Sequence, residues 1–117
     1  MGSRRSYAES VLVKKEGRAV SVPVARTFSS RLRGLMGRAS LGEEEGLFLA
    51  RCSRVHCCFM RFPIDVLYLD SNLRGIEVET LFPWQLGKKV KGTRHVLEMP
   101  AGYFDGIAPS SVQLIEK

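Results

Sequence analysis

Apolar and polar positions alternate from Ser10 onward: the run Ser10 to Lys15 breaks at Glu16-Gly17 and resumes over Ala19 to Val24, with Val20, Val22 and Val24 on one side. Two β-branched runs about a glycine-containing turn predict a β-hairpin. Pro23 cannot donate to a ladder, so the second strand is expected at a sheet edge. The period then changes. Phe28, Leu32, Leu35 and Met36 recur at helical spacing, which predicts one helix over Thr27 to Met36 with Thr27 or Ser29 as cap and Gly37 at its end. Gly34 inside it costs about 1 kcal/mol relative to alanine, so the helix ends there or its backbone packs closely.

Beyond the acidic run Glu43-Glu44-Glu45, Gly46 opens a strand over Leu47 to Ala50, and Ile64 to Leu69 is apolar on both faces, as a buried central strand requires. Further strands are predicted over Ile76 to Leu81, Arg94 to Met99 and Ser111 to Ile115, with a single helical turn over Tyr103 to Ile107. A loop of about a dozen residues carries Phe82, Pro83, Trp84 and several lysines, and its aromatics are expected to anchor it on the core. The fold class is mainly β (α+β): a small curled antiparallel sheet, barrel-like or a sandwich, with one short helix. Strands and helices do not alternate, which argues against a nucleotide-binding α/β fold. Residues 1–8 read as a flexible N-terminal tail and 9–117 as a single globular domain.

Composition narrows the function classes. The chain of 117 residues is 44% hydrophobic and 26% charged, ordinary values for a globular domain. Its net charge of +6 favours anionic partners at long range. The basic residues are dispersed as pairs such as Lys14-Lys15 and Lys88-Lys89, without the block of like charges that marks a nucleic-acid-binding tail. No run has the length of a membrane span and the start lacks a signal-peptide layout, so a cytoplasmic location is expected. Three cysteines, two of them adjacent, suit free thiols in a reducing compartment rather than a disulfide framework.

Reactive chemistry concentrates between Cys52 and Asp70. Cys52, His56, Cys57 and Cys58 supply ligand types that zinc prefers, but zinc sites draw pairs of ligands from separated elements, and the only distant partner is His95. No metal and no cofactor are predicted. A cysteine nucleophile with His56 or His95 as base is less favoured than a structural role, although Arg51, Arg54 and Arg61 would depress a nearby thiol pKa. Asp65 and Glu98 are carboxylates inside apolar strands and need partners if buried. Together with His56 and Arg61 they are candidates for a polar ligand-binding pocket; the structural alternative is an ion pair of Arg61 with Asp65. Trp84 and Lys88 are candidate loop contacts.

Through several of these residues the chain resembles domain-of-unknown-function family 192, small proteins of bacteria and archaea. The likeness rests on Arg33-Gly34-Leu35-Met36-Gly37-Arg38, Val55-His56, Met60-Arg61-Phe62-Pro63-Ile64-Asp65-Val66, Pro83-Trp84, Val96-Leu97-Glu98 and Ala101-Gly102. It implies a single, mostly β domain with a short helix, and no agreed activity. Three positions depart from the family pattern: Cys57 replaces a threonine, Leu73 a turn glycine, and Ser110-Ser111 a Gly-Asp pair. If that aspartate serves chemistry, this member lacks it.

The functional expectation is a binding module whose pocket of His56, Arg61, Asp65 and Glu98 receives a small acidic or polar ligand or a peptide. One alternative is a hydrolase or isomerase with His56 as acid or base, oriented by Asp65 or Glu98. Another is nucleic-acid binding through the basic surface.

Overall fold

A computed structural model of the chain describes residues 9–26, 40–53 and 61–116. The tail, the predicted helix, His56, Cys57 and Cys58 lie outside the described residues. The hairpin forms as the alternation requires: β1 (Ser10–Lys15) pairs antiparallel with β2 (Arg18–Ala25), Lys15 facing Arg18. Both turn residues have positive φ, Glu16 at 51° and Gly17 at 84°, the backbone that matches the twist of a two-residue hairpin.

The remaining strands are β3 (Leu47–Leu49), β4 (Ile64–Leu69), β5 (Gly75–Leu81), β6 (His95–Pro100) and β7 (Gln113–Glu116). They join the hairpin in one curled half-barrel sheet of order β5-β4-β6-β3-β2-β1-β7. All neighbours run antiparallel except β2 and β3. Pro23 is therefore in an interior strand, contrary to the edge position its chemistry predicts. The exception is local, because among the described residues β2 pairs with β3 at Val24 and Ala25, and Pro23 precedes that short ladder. The expected helical turn at Tyr103 to Ile107 is instead a series of reverse turns. The amides of Tyr103, Asp105 and Ile107 each donate to the carbonyl three residues back, at 3.0–3.1 Å, and Gly102 and Gly106 have positive φ, which an α-helix does not permit.

The sheet buries both faces along its central strands β3, β4 and β6. Inside the curl, Val13, Val22, Leu67, Leu97 and Met99 form one cluster, roofed by Phe104 and Val112. On the outside, Leu47, Ile64, Val66, Tyr68 and Val96 form a second, onto which Leu41, Cys52, Phe62 and Val90 pack. All six residues of β4 are buried, as its continuous apolar run predicts. A short 3-10 turn, Pro109–Ser111, leads into β7 and lies against β5. The contact is so close that a Cβ on Gly75 would stand 2.1 Å from the Pro109 carbonyl oxygen. The two ends of the strand order are thereby drawn toward one another.

Candidate functional site

The register of β4 against β6 decides how the two buried acids relate. Asp65 faces Met99 and Val66 faces Glu98; paired residues share a face and successive residues alternate. Asp65 therefore points into the curl, whereas Glu98 points to the outer cluster. One pocket cannot use both carboxylates.

Asp65 is fully engaged. Its Oδ1 accepts from the Thr80 hydroxyl at 2.6 Å and its Oδ2 from the Phe104 amide at 3.1 Å, so it ties β4 to β5 and to the turn after β6. Arg61 is exposed and forms no ion pair with it. Glu98 is 5% exposed, and no described residue donates a hydrogen bond to its carboxyl. Burial among apolar side chains pushes this group from the ordinary 4.5 up to about 8, so it is largely a neutral acid at pH 7. Cys52 is half-buried on the same face. Among the described residues no three His, Cys, Asp or Glu side chains gather as metal ligands.

His95 has a structural task that its sequence context does not reveal. Its Nδ1 accepts the Arg51 amide at 3.0 Å and its ring stacks on Phe48, centroids 5.4 Å apart. That bond supports Arg51 at a φ of 57°, and it requires Nδ1 to be unprotonated. Desolvation first, then the Arg94 and Arg26 charges, hold the imidazole below its usual pKa.

The loop between β5 and β6 gathers the remaining chemistry. Glu79 Oε1 accepts both the Tyr68 hydroxyl at 2.7 Å and the Lys88 amide at 3.0 Å, and the Lys88 ammonium pairs with Glu77. Lys88 is thus a strut that fixes the loop to β5. Trp84 does not anchor the loop on the core as expected: it is 65% exposed, with Phe82 at 55% and Leu86 at 60%. The reason is the turn. Gln85 donates its amide to the Phe82 carbonyl at 3.0 Å and accepts the Phe82 amide on its side chain at 2.8 Å, leaving Pro83 and Trp84 at the outward tip.

Further along, Ser53, Lys89, Val90, Lys91, Gly92 and Thr93 line a cavity of about 390 Å³. Gly92, at a φ of 87°, makes the turn in which the Thr93 amide returns to the Val90 carbonyl at 3.2 Å. The Thr93 hydroxyl is buried without a hydrogen-bond partner, and neither Lys89 nor Lys91 has an ion-pair partner among the described residues. Ser53 and Thr93 are not among the residues the sequence singles out; the available signal is a hydroxyl directly after a glycine in a lysine-rich turn.

The sequence pattern of the DUF192 family, described as uncharacterized ACR, matches residues 11–112. The chain belongs to the DUF192 family. Among its relatives is a UPF0127 protein of Pyrococcus abyssi (strain GE5 / Orsay), 36% identical over 98 residues that cover 80% of each chain. Another UPF0127 protein, of Pyrococcus horikoshii, is 40% identical over 55 residues, 47% of this chain and 48% of that one. The chain spans about half the length of several curated relatives it matches. A crystal structure of a protein of unknown function from Novosphingobium aromaticivorans DSM 12444 superposes with a TM-score of 0.77 at 25% identity, covering 89% of this chain and 83% of the other. A candidate transcription regulator from Sinorhizobium meliloti 1021 gives 0.78 at 23% identity, covering 94% and 96%; at that identity the likeness is one of fold. Within this DUF192 domain, Leu73 takes the left-handed backbone, φ 63°, a conformation that favours glycine.

Proposed function

We propose that this DUF192 domain is a binding module for a small anionic ligand, held in the cavity between Ser53 and the turn Lys89 to Thr93. The observation that carries the reading is a cavity lined by Ser53, Thr93 and two lysines that have no acidic partner among the described residues, beside a Thr93 hydroxyl that is buried with no hydrogen-bond partner among them. A buried hydroxyl without a hydrogen bond is costly, and a turn of the Thr93 side chain toward a ligand oxygen in the cavity would remove that cost while the ammonium groups supply charge. The volume lies in the range of small-molecule sites. Of the residues proposed from sequence, Asp65 is occupied with structural bonds, and neither Glu98 nor Arg61 lines this cavity.

Thermal shift against inorganic phosphate and small carboxylates tests it. A bound anion raises the melting temperature with concentration, and the rise should vanish in Lys89→Ala/Lys91→Ala and shrink in Thr93→Val. No stabilisation by any anion, or stabilisation indifferent to these changes, would sink the reading.

One observation favours an acid–base enzyme instead: Glu98 is a buried acid with a pKa moved close to working pH. That reading predicts that Glu98→Gln abolishes any turnover found among small esters and isomerase substrates. Under the binding reading, the same change leaves anion affinity intact.

A further inference from the structure

The tip that follows β5 combines three features that the cavity does not explain. Phe82, Trp84 and Leu86, at alternate positions, are each more than half exposed, an arrangement that soluble surfaces normally avoid. The tip is tied to the sheet: Phe82 and Gln85 exchange two hydrogen bonds, and Glu79 and Glu77 hold Lys88 just behind. Trp84 also occupies the third position of the turn at a φ of 71°, where glycine is the favoured residue. A bulky side chain in the left-handed region is strained, and such strain concentrates at functional surfaces. Lys89 and Lys91, without ion-pair partners among the described residues, follow within a few residues, on a chain of net charge +6.

We propose that this loop docks the protein on an anionic lipid surface, with Phe82, Trp84 and Leu86 entering the headgroup layer and Lys89 and Lys91 supplying the attraction. Tryptophan and phenylalanine partition to that interface, and adjacent lysines add electrostatic binding to acidic lipids. The aliphatic Leu86 and the proline at the tip fit lipid better than stacked bases, because neither presents an aromatic face. The surface needs the charge of the two lysines but not an occupied cavity, so it goes beyond the anion-binding reading.

Trp84 is the only tryptophan in the chain and reports directly. Mixed with phosphatidylcholine vesicles containing phosphatidylserine, the protein should float with the vesicles and its emission should shift to the blue, less so as salt is raised. Phe82→Ser and Leu86→Ser, both at exposed positions, should each weaken binding about tenfold. Lys89→Ala and Lys91→Ala should each weaken it about fivefold. Circular dichroism confirms that each variant is folded. Absence of flotation and blue shift, equal binding to pure phosphatidylcholine, or indifference to Phe82→Ser and Leu86→Ser overturns the proposal. A blue shift that grows with protein concentration without vesicles assigns the tip to a second copy of the chain and overturns it too, as does Trp84 quenching by single-stranded RNA in place of vesicle binding. Stabilisation by inorganic phosphate without vesicle binding sinks the docking surface alone; vesicle binding without phosphate stabilisation sinks the cavity reading alone.

Discussion

Buried carboxyl groups with opposite solutions to the same problem sit on neighbouring positions of one strand pair. Asp65 stays in the core by accepting two hydrogen bonds, and Asp65→Ala strands the Phe104 amide inside the curl. Its expected cost is about 1–3 kcal/mol in chemical denaturation; unchanged stability would deny it this structural task. Glu98 lacks such donors among the described residues and stays by remaining protonated. Between the ordinary 4.5 and about 8, the folded protein holds a proton that the unfolded chain has released, so stability declines as pH rises through that window. The slope reaches up to about 1.4 kcal/mol per pH unit. Glu98→Gln should abolish this decline, seen as denaturation midpoints that no longer fall from pH 5 to 8. His95 acts in the opposite sense: its lowered pKa gives stability that is full above 6.5 and lost as pH falls below it. The anomaly of Asp65 and Glu98 was legible from sequence, because a charge amid β-branched neighbours stands out. Their separation onto opposite faces was not, since face depends on the register between β4 and β6, which no local pattern encodes.

At the scale of elements, the hairpin, β4, β5 and β6 follow from alternation and turn residues, with their ends moved by a residue or so. Loops were less readable. The β5–β6 loop looked like an apolar anchor because aromatic residues usually bury, yet the Phe82 to Gln85 turn directs Trp84 outward. The position asks for glycine, so Trp84→Gly should leave the melting temperature unchanged or raise it, by releasing a strained φ. A fall of several degrees would show that the indole holds the loop in place. Pro23 misled for a related reason: it pairs with Ser10 on one side, and a stretch of an interior strand left unpaired on its other side satisfies proline as well as a sheet edge does.

Across the whole molecule, the sheet is held curled by the approach of the Pro109–Ser111 turn to Gly75. Gly75→Ala sets a methyl group against backbone carbonyl atoms that cannot rotate away, so the turn must withdraw. A loss of about 1–3 kcal/mol is expected, as for other overpacked sites, with faster amide exchange along β7. Wild-type exchange rates in that variant would mean the contact is dispensable. The general class, a small mainly β domain, was readable from the spacing of short strands and turns; the strand order was not, because β7 joins β1 through partners such as Val11 and Glu116 that lie far apart in the chain. That pairing also imposes a schedule on folding. Until some hundred residues have been gathered, the outer edge of β1 remains an open template, and contacts of such long range form late. During that interval a β7 from another molecule can fill the same edge, which makes strand exchange between chains the characteristic folding error of this architecture.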